Sequence, residues 1–159
     1  MLENPVTFNS ITINSRPSPF LLTTYFISVV NVDGLFAEDR SYESHPIPGK
    51  IGERSGDVFK RGKSIVLTGK IEALSLRYLR QGERVLNQMF WSDSASQLKF
   101  QLIGEPQLYY TCRVAQPLSV TEAIDRIDYI VREWTVGLRA DDPRSYQVSG
   151  GSLYPTWQV

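Results

Sequence analysis

Histidine and cysteine are nearly missing from this chain, whose 159 residues include one of each, His45 and Cys112. A single cysteine excludes an intrachain disulfide framework. A Cys–His nucleophilic pair would need Cys112, inside the apolar stretch LYYTCRV, to meet His45, which precedes Pro46 far away in sequence. No G-x-S-x-G, P-loop, H-E-x-x-H or G-x-G-x-x-G pattern is present. Catalysis, a metal site and a bound cofactor are therefore not expected. Net charge is lacking too: 17 lysines and arginines balance 17 aspartates and glutamates. Neutrality argues against electrostatic capture of nucleic acid or of an anionic membrane. No apolar run approaches the roughly 20 residues of a membrane span, and Pro5, Pro17 and Pro19 interrupt any signal-peptide core. A soluble single domain without an export signal is the expectation; a chain of this length buries a sizeable core without disulfide support.

What is present is mainly hydrophobicity of period two, the period of a strand. VTFNSITIN, residues 6–14, is rich in β-branched residues and changes phase at Ser10, which predicts a hairpin or a bulge. FLLTTYFISVVNV, residues 20–32, reads as a long strand after the Pro17–Pro19 punctuation. In SIVLTGKIEA the residues Ile65, Leu67, Gly69, Ile71 and Ala73 share one face. QLKFQLIG points Leu98, Phe100 and Leu102 inward, and PQLYYTCRV reads as a strand covered on both faces. In YIVREWTVGLRA, Ile130, Trp134, Val136, Leu138 and Ala140 align, with Arg132 as the misfit.

One segment has the helical period instead. In LSLRYLRQGERVLNQMF, residues 74–90, Leu76, Leu79, Leu86, Met89 and Phe90 fall near one helical face, Ser75 is placed to cap the N-terminus, and Gly82 costs about 1 kcal/mol relative to alanine. A second, shorter helical turn is expected in SVTEAIDRI, capped by Thr121. The fold class expected is mainly β, an α+β arrangement with a β-sandwich or barrel-like sheet covered by one amphipathic helix.

Residues 33–63 carry polar residues, glycines and two prolines, and read as a long connection. Its charges are segregated: Asp33, Glu38, Asp39 and Glu43 with Arg40 make an acidic arm, whereas Lys50, Arg54, Lys60, Arg61 and Lys63 with Glu53 and Asp57 make a basic one. They read either as two solvated arms or as complementary contacts between neighbouring copies of the chain. Residues 147–159 read as a tail whose Leu153, Tyr154 and Trp157 anchor either to the chain's own body or to a partner.

Taken together, KRGKSIVLTGKIEALSLRYLRQGERVLNQMF (60–90), with Gly62 in a basic turn and Gly69 at the strand centre, the preceding loop IPGKIGERSGDVF, and REWTVGLRADDPRSY (132–146) resemble, in order and spacing over about 48–146, the first domain of siphovirus distal tail proteins. The resemblance implies a fold related to the tail-tube fold across residues 1–146 and a structural role in the virion. It further implies a ring of six copies at the distal end of the tail, assembled in the host cytoplasm. Such a ring joins the tail-tube protein on one face to the tail tip, baseplate or tape-measure-associated proteins on the other, and DNA passes through without specific binding. It also makes Asp142, Pro143 and Arg144 a structural strand terminator, with Arg144 paired to Asp141 or to an acid across the turn. Many relatives continue into a second domain, whereas this chain ends sixteen residues after Pro143, so a minimal hub with a docking tail is expected. The competing readings are a tail-tube or other minor tail protein and, from a different class, a carbohydrate-binding β-sandwich that stacks sugars on Trp91, Trp134, Trp157 and the tyrosines, although Trp134 sits on the apolar face and reads as core.

Overall fold

A computed structural model of the chain describes residues 6–13, 24–35, 40–46, 53–60, 62–142, 144–148 and 155–156, with backbone alone at 40–46, 53–60 and 155–156. The chain opens with the expected hairpin: β1 (Val6–Phe8) pairs with β2 (Ile11–Ile13) in the register Phe8↔Ile11. The phase change at Ser10 is a two-residue turn with Asn9 at φ 49° and Ser10 at φ 63°. Positive φ at both central residues matches the right-handed twist of the flanking strands, and the phase flip lets Val6, Phe8 and Ile13 all be buried.

Strand β3 (Tyr25–Asp33) follows, then β4 (Arg40–Pro46), β5 (Glu53–Lys60) and β6 (Lys63–Ala73). Helix α1 (Leu76–Phe90) comes next, and after it β7 (Ser96–Phe100), β8 (Leu108–Val120), β9 (Ile124–Asp125), β10 (Ile130–Ala140), β11 (Ser145–Gln147) and β12 (Pro155–Thr156). The main sheet is antiparallel, in the order β2-β1-β7-β8-β10-β6-β3, with β9 beside β10, β11 beside β8 and β12 beside β11; β4 and β5 pair as a separate hairpin. Among the described residues this is a β-rich α+β fold, the class that the periodicities imply, with one helix lying against an open sheet rather than a closed barrel.

Strand β6 lies between β10 and the edge strand β3. Its side chains alternate without a break, and Lys63, Ile65, Leu67, Ile71 and Ala73 are all buried. Across the ladder Leu138, Val136 and Trp134 stand opposite Ile65, Leu67 and Gly69. Gly69 has no room for a side chain, because an added Cβ would lie 2.0 Å from the Ser28 carbonyl oxygen and 2.4 Å from the Trp134 ring. Trp134 thus fills the space that glycine leaves, and it is fully buried.

On the same face lies α1. Its N-cap is Ser75, whose hydroxyl accepts the Tyr78 amide at 3.5 Å. Leu79, Gly82, Leu86, Met89 and Phe90 are buried, whereas Leu76, expected on that face, is exposed because it sits in the first turn beyond the sheet contact. Gly82 keeps the helix close to β6: a Cβ there would meet Ile71 at 2.9 Å and Tyr25 at 3.2 Å. At the other end Phe90 stacks on Phe8 at 5.6 Å and tilts against Trp134 at 5.9 Å, tying β1, α1 and β10 into one cluster. Each such large side chain contributes roughly 1.5–3 kcal/mol by burial. The misfit Arg132 is explained by the helix: it bonds Glu83 on α1 and donates through Nε to the Thr121 carbonyl at 2.6 Å.

Three sequence expectations change. The turn expected to be helical after Thr121 is extended: β9 pairs with Ile130 and Val131, and the Thr121 hydroxyl accepts the Glu133 amide at 3.1 Å, so Thr121 caps a strand bend rather than a helix. The strand expected to end at Val114 runs on to Val120. It does so through two register shifts against β10, and Pro117, which cannot donate to a ladder, sits within the irregular stretch. The connection 33–63 is not structureless: β4 pairs with β5, Arg40 opposite Lys60 and His45 opposite Arg54, so the acidic and basic arms are hydrogen-bonded to each other within one chain.

Candidate functional site

Strand β10 ends at Ala140, opposite Cys112 on β8, and the chain then leaves and rejoins the same edge of β8, where Tyr146 pairs with Tyr109 and Gln147 with Leu108. Continuous pairing would bring the chain back three residues sooner; the extra length is the Asp141–Arg144 excursion that the sequence marks with its paired acids. Asp141 accepts from Arg113 at 2.5 Å. Asp142 closes the excursion by accepting the Arg144 backbone amide at 3.1 Å, Nε of Arg144 at 2.9 Å and its Nη2 at 3.0 Å, and the Tyr146 hydroxyl at 2.6 Å. Arg144 therefore pairs with Asp142, two residues back, rather than with Asp141, which Arg113 engages.

The Arg144 side-chain bonds, aided by the Tyr146 hydroxyl, hold the Asp142 carboxyl down at about 2. The same contact raises Arg144 and pushes the Tyr146 phenol above its ordinary value. A carboxylate held that low is a poor proton acceptor at neutral pH, and this group acts as a clamp. It re-docks the chain onto β8, where the Tyr109 and Tyr146 rings stack at 5.6 Å. The sheet is interrupted at Asp142 rather than ended, which refines the expected terminator. Pro143 lies outside the described residues. Cys112, opposite Ala140, is fully buried, and burial, then the negative charge of Asp141, pushes its thiol up to about 12, so it packs as a small apolar side chain.

Gly62 stands at the start of β6, where an added Cβ would lie 2.4 Å from the Ala140 carbonyl oxygen. The basic-Gly turn and the Asp-Asp turn are therefore neighbours at one end of the β6–β10 ladder.

Of the nine charged residues expected at subunit contacts, Asp33 ends β3, exposed, and accepts from the Asn31 amide at 3.0 Å. Glu43 lies on β4, and Arg54 and Lys60 on β5, in the separate hairpin. Glu38, Asp39, Lys50 and Arg61 lie outside the described residues, as do Leu153, Tyr154 and Trp157 of the tail. Lys63 is not on the surface. It is 2% exposed, its ammonium donates to the Leu35 carbonyl and to the Tyr110 hydroxyl at 3.0 Å, and it rests 4.8 Å from the Tyr110 ring centre. The sequence counted it with the basic arm, but strict alternation along β6 carries it inside. In the tail, the β12 backbone pairs with Ser145 and Tyr146, so residues 155–156 return to the chain's own body. Sequence reading missed Arg113 and Tyr146 as partners of the two aspartates; strand order brings Arg113 of β8 to Asp141, and the local turn brings Tyr146 to Asp142.

No family model matches the chain, and no curated protein matches it. Among solved structures the chain is similar to the crystal structure of the SPP1 Dit (gp 19.1) protein, described as a paradigm of the hub adsorption apparatus in phages that infect Gram-positive bacteria. The match covers 90% of this chain and 51% of that one, with a TM-score of 0.64 at 14% sequence identity. The fold is Dit-like. The chain spans about half the length of Dit, and at this identity the likeness is one of backbone architecture.

Proposed function

We propose that this protein is a structural component of a phage tail, a distal tail subunit whose copies form a hub ring, six to the ring, between the tail tube and the tail tip. The observation that carries this reading is the Dit-like fold over nine-tenths of the chain. The motifs at 60–90 and 132–146 support it from the sequence side, and both meet at one end of the β6–β10 ladder. In this role the chain performs no catalysis and holds no cofactor, and balanced charge suits a passage through which DNA slides.

The β4–β5 hairpin makes the contacts between subunits in this reading. It pairs with neither edge of the main sheet among the described residues, and an isolated two-stranded hairpin is marginally stable in water unless something packs on it. A neighbouring copy supplies that support. Light scattering on the purified chain over a range of concentrations tests the ring: six copies of 18.1 kDa give about 109 kDa, and negative-stain images of the same fraction should show a central hole. Charge reversal at Arg54 and Lys60 should shift the mass towards that of the monomer. A monomer at every concentration, with and without purified tail-tube protein, would overturn the ring.

A further inference from the structure

The last turn of α1 carries a tryptophan turned to solvent. Trp91, the C-cap residue, is 85% exposed, an unusual state for the largest apolar side chain. It lines a cleft of about 350 Å³. One wall is helical, with Asn87 one turn before Trp91 on the same face and Asp93 just beyond. The other is the irregular stretch of β8, with Val114, Ala115, Pro117 and Leu118. The two register shifts of β8 against β10 fall in this stretch. The fold leaves Trp91 unused: the core aromatic cluster is Phe8, Phe90 and Trp134.

The chemistry of the cleft narrows the ligand. Its polar groups are a carboxylate and a carboxamide, and the adjoining helix C-terminus presents carbonyl oxygens with partial negative charge. No basic residue occupies the last helical turn. An anionic group would be repelled. A neutral compound with several hydroxyl donors and one apolar face suits both halves: C–H groups lie on the indole, and hydroxyls donate to Asp93 and exchange hydrogen bonds with Asn87. We propose that this cleft binds a neutral sugar unit, with Trp91 as the stacking platform and Asn87 and Asp93 as the hydrogen-bonding pair. Of the three tryptophans that sequence reading offered for stacking, Trp134 is spent on the core and Trp157 lies outside the described residues.

Two-dimensional NMR of the full chain, following the Trp91 indole N–H, tests this with glucose, galactose and N-acetylglucosamine and their linear trisaccharides as probes. Expected are saturable shifts of Trp91 and of the Asn87 side-chain amide for at least one sugar, with a dissociation constant of about 1 mM. Trp91→Ala should weaken binding about tenfold or more, Trp91→Phe should recover part of it, and Asp93→Asn should weaken it less. Because Trp91 is exposed, these variants should keep the parent's thermal unfolding curve. Absence of saturation with every probe at about 50 mM would overturn the proposal. So would a Trp91→Ala variant that loses oligomeric mass by light scattering, since that result gives the indole to a neighbouring subunit.

Discussion

The two neighbours of β10 make opposite kinds of strand. On one side β6 keeps register with β10 for eleven consecutive pairs, from Lys63↔Ala140 to Ala73↔Ile130. On the other, β8 slips twice between Cys112 and Val120, and the chain beyond Ala140 leaves this edge and returns. The regular side is buried and closed by α1, so any shift of register would push Ile65, Leu67 and Ile71 into solvent. The irregular side is exposed beyond Cys112, where a slip has little to lose. Regularity is enforced where burial is complete, and the Trp91 cleft and the Asp142 clamp occur where it is relaxed.

The sharpest challenge to that contrast is a pair of glycine substitutions. Gly69→Ala places a Cβ against the Ser28 carbonyl and the Trp134 ring, neither of which can move without breaking the ladder. A loss of about 3 kcal/mol or more in urea unfolding is expected. Gly137→Ala, opposite the slipped part of β8, brings a Cβ to 2.8 Å from the Gln116 Cβ and should cost less, about 1–2 kcal/mol, because the irregular pairing there lets β8 give way; equal costs at the two sites would break the contrast.

Next comes the buried ammonium. Lys63→Ala removes the donor to Leu35 and Tyr110 and opens a gap at the head of β6, with an expected loss of about 2–4 kcal/mol by chemical denaturation. A surface lysine would lose almost nothing, so a change under about 0.5 kcal/mol would contradict the burial.

The smallest effect belongs to the clamp. Asp142 ionises more readily folded than unfolded, its carboxyl lowered from 3.8 to about 2. Its stabilising contribution is therefore complete above the unfolded value and disappears as pH falls from about 4 to about 2. The group is partly solvated, so screening limits the contribution to below about 1 kcal/mol. Asp142→Asn should flatten this part of the stability–pH curve, read by thermal unfolding at constant ionic strength. An unchanged acid limb would show that the clamp contributes nothing to stability.

These sites differ in how far they could be read from the chain alone. Gly69 and its apolar neighbours announce themselves by strict alternation, and α1 by its spacing and its Ser75 cap. Lys63 follows the same alternation but was grouped with the charges before it, since a lysine normally stays at the surface. The extension of β8 from Val114 to Val120 is not legible in the sequence, because bulges that accommodate Pro117 leave no mark in a period count. Arg113 and Asp141 lie 28 residues apart, and no local pattern joins them.

The sequence by itself determined most strands of the main sheet and the faces they bury, where α1 starts, and that a strand stops at the Asp-Asp-Pro-Arg stretch. Those are consequences of side-chain period, capping and backbone restriction, all local. Tertiary structure alone decided that Asp142 rather than Asp141 holds Arg144, that Lys63 meets Leu35 and Tyr110, that the opposed charge arms pair as a hairpin, and that Trp91 faces a cleft. Each depends on which strands become neighbours, and in an antiparallel sheet that choice rests on burial summed over the whole chain.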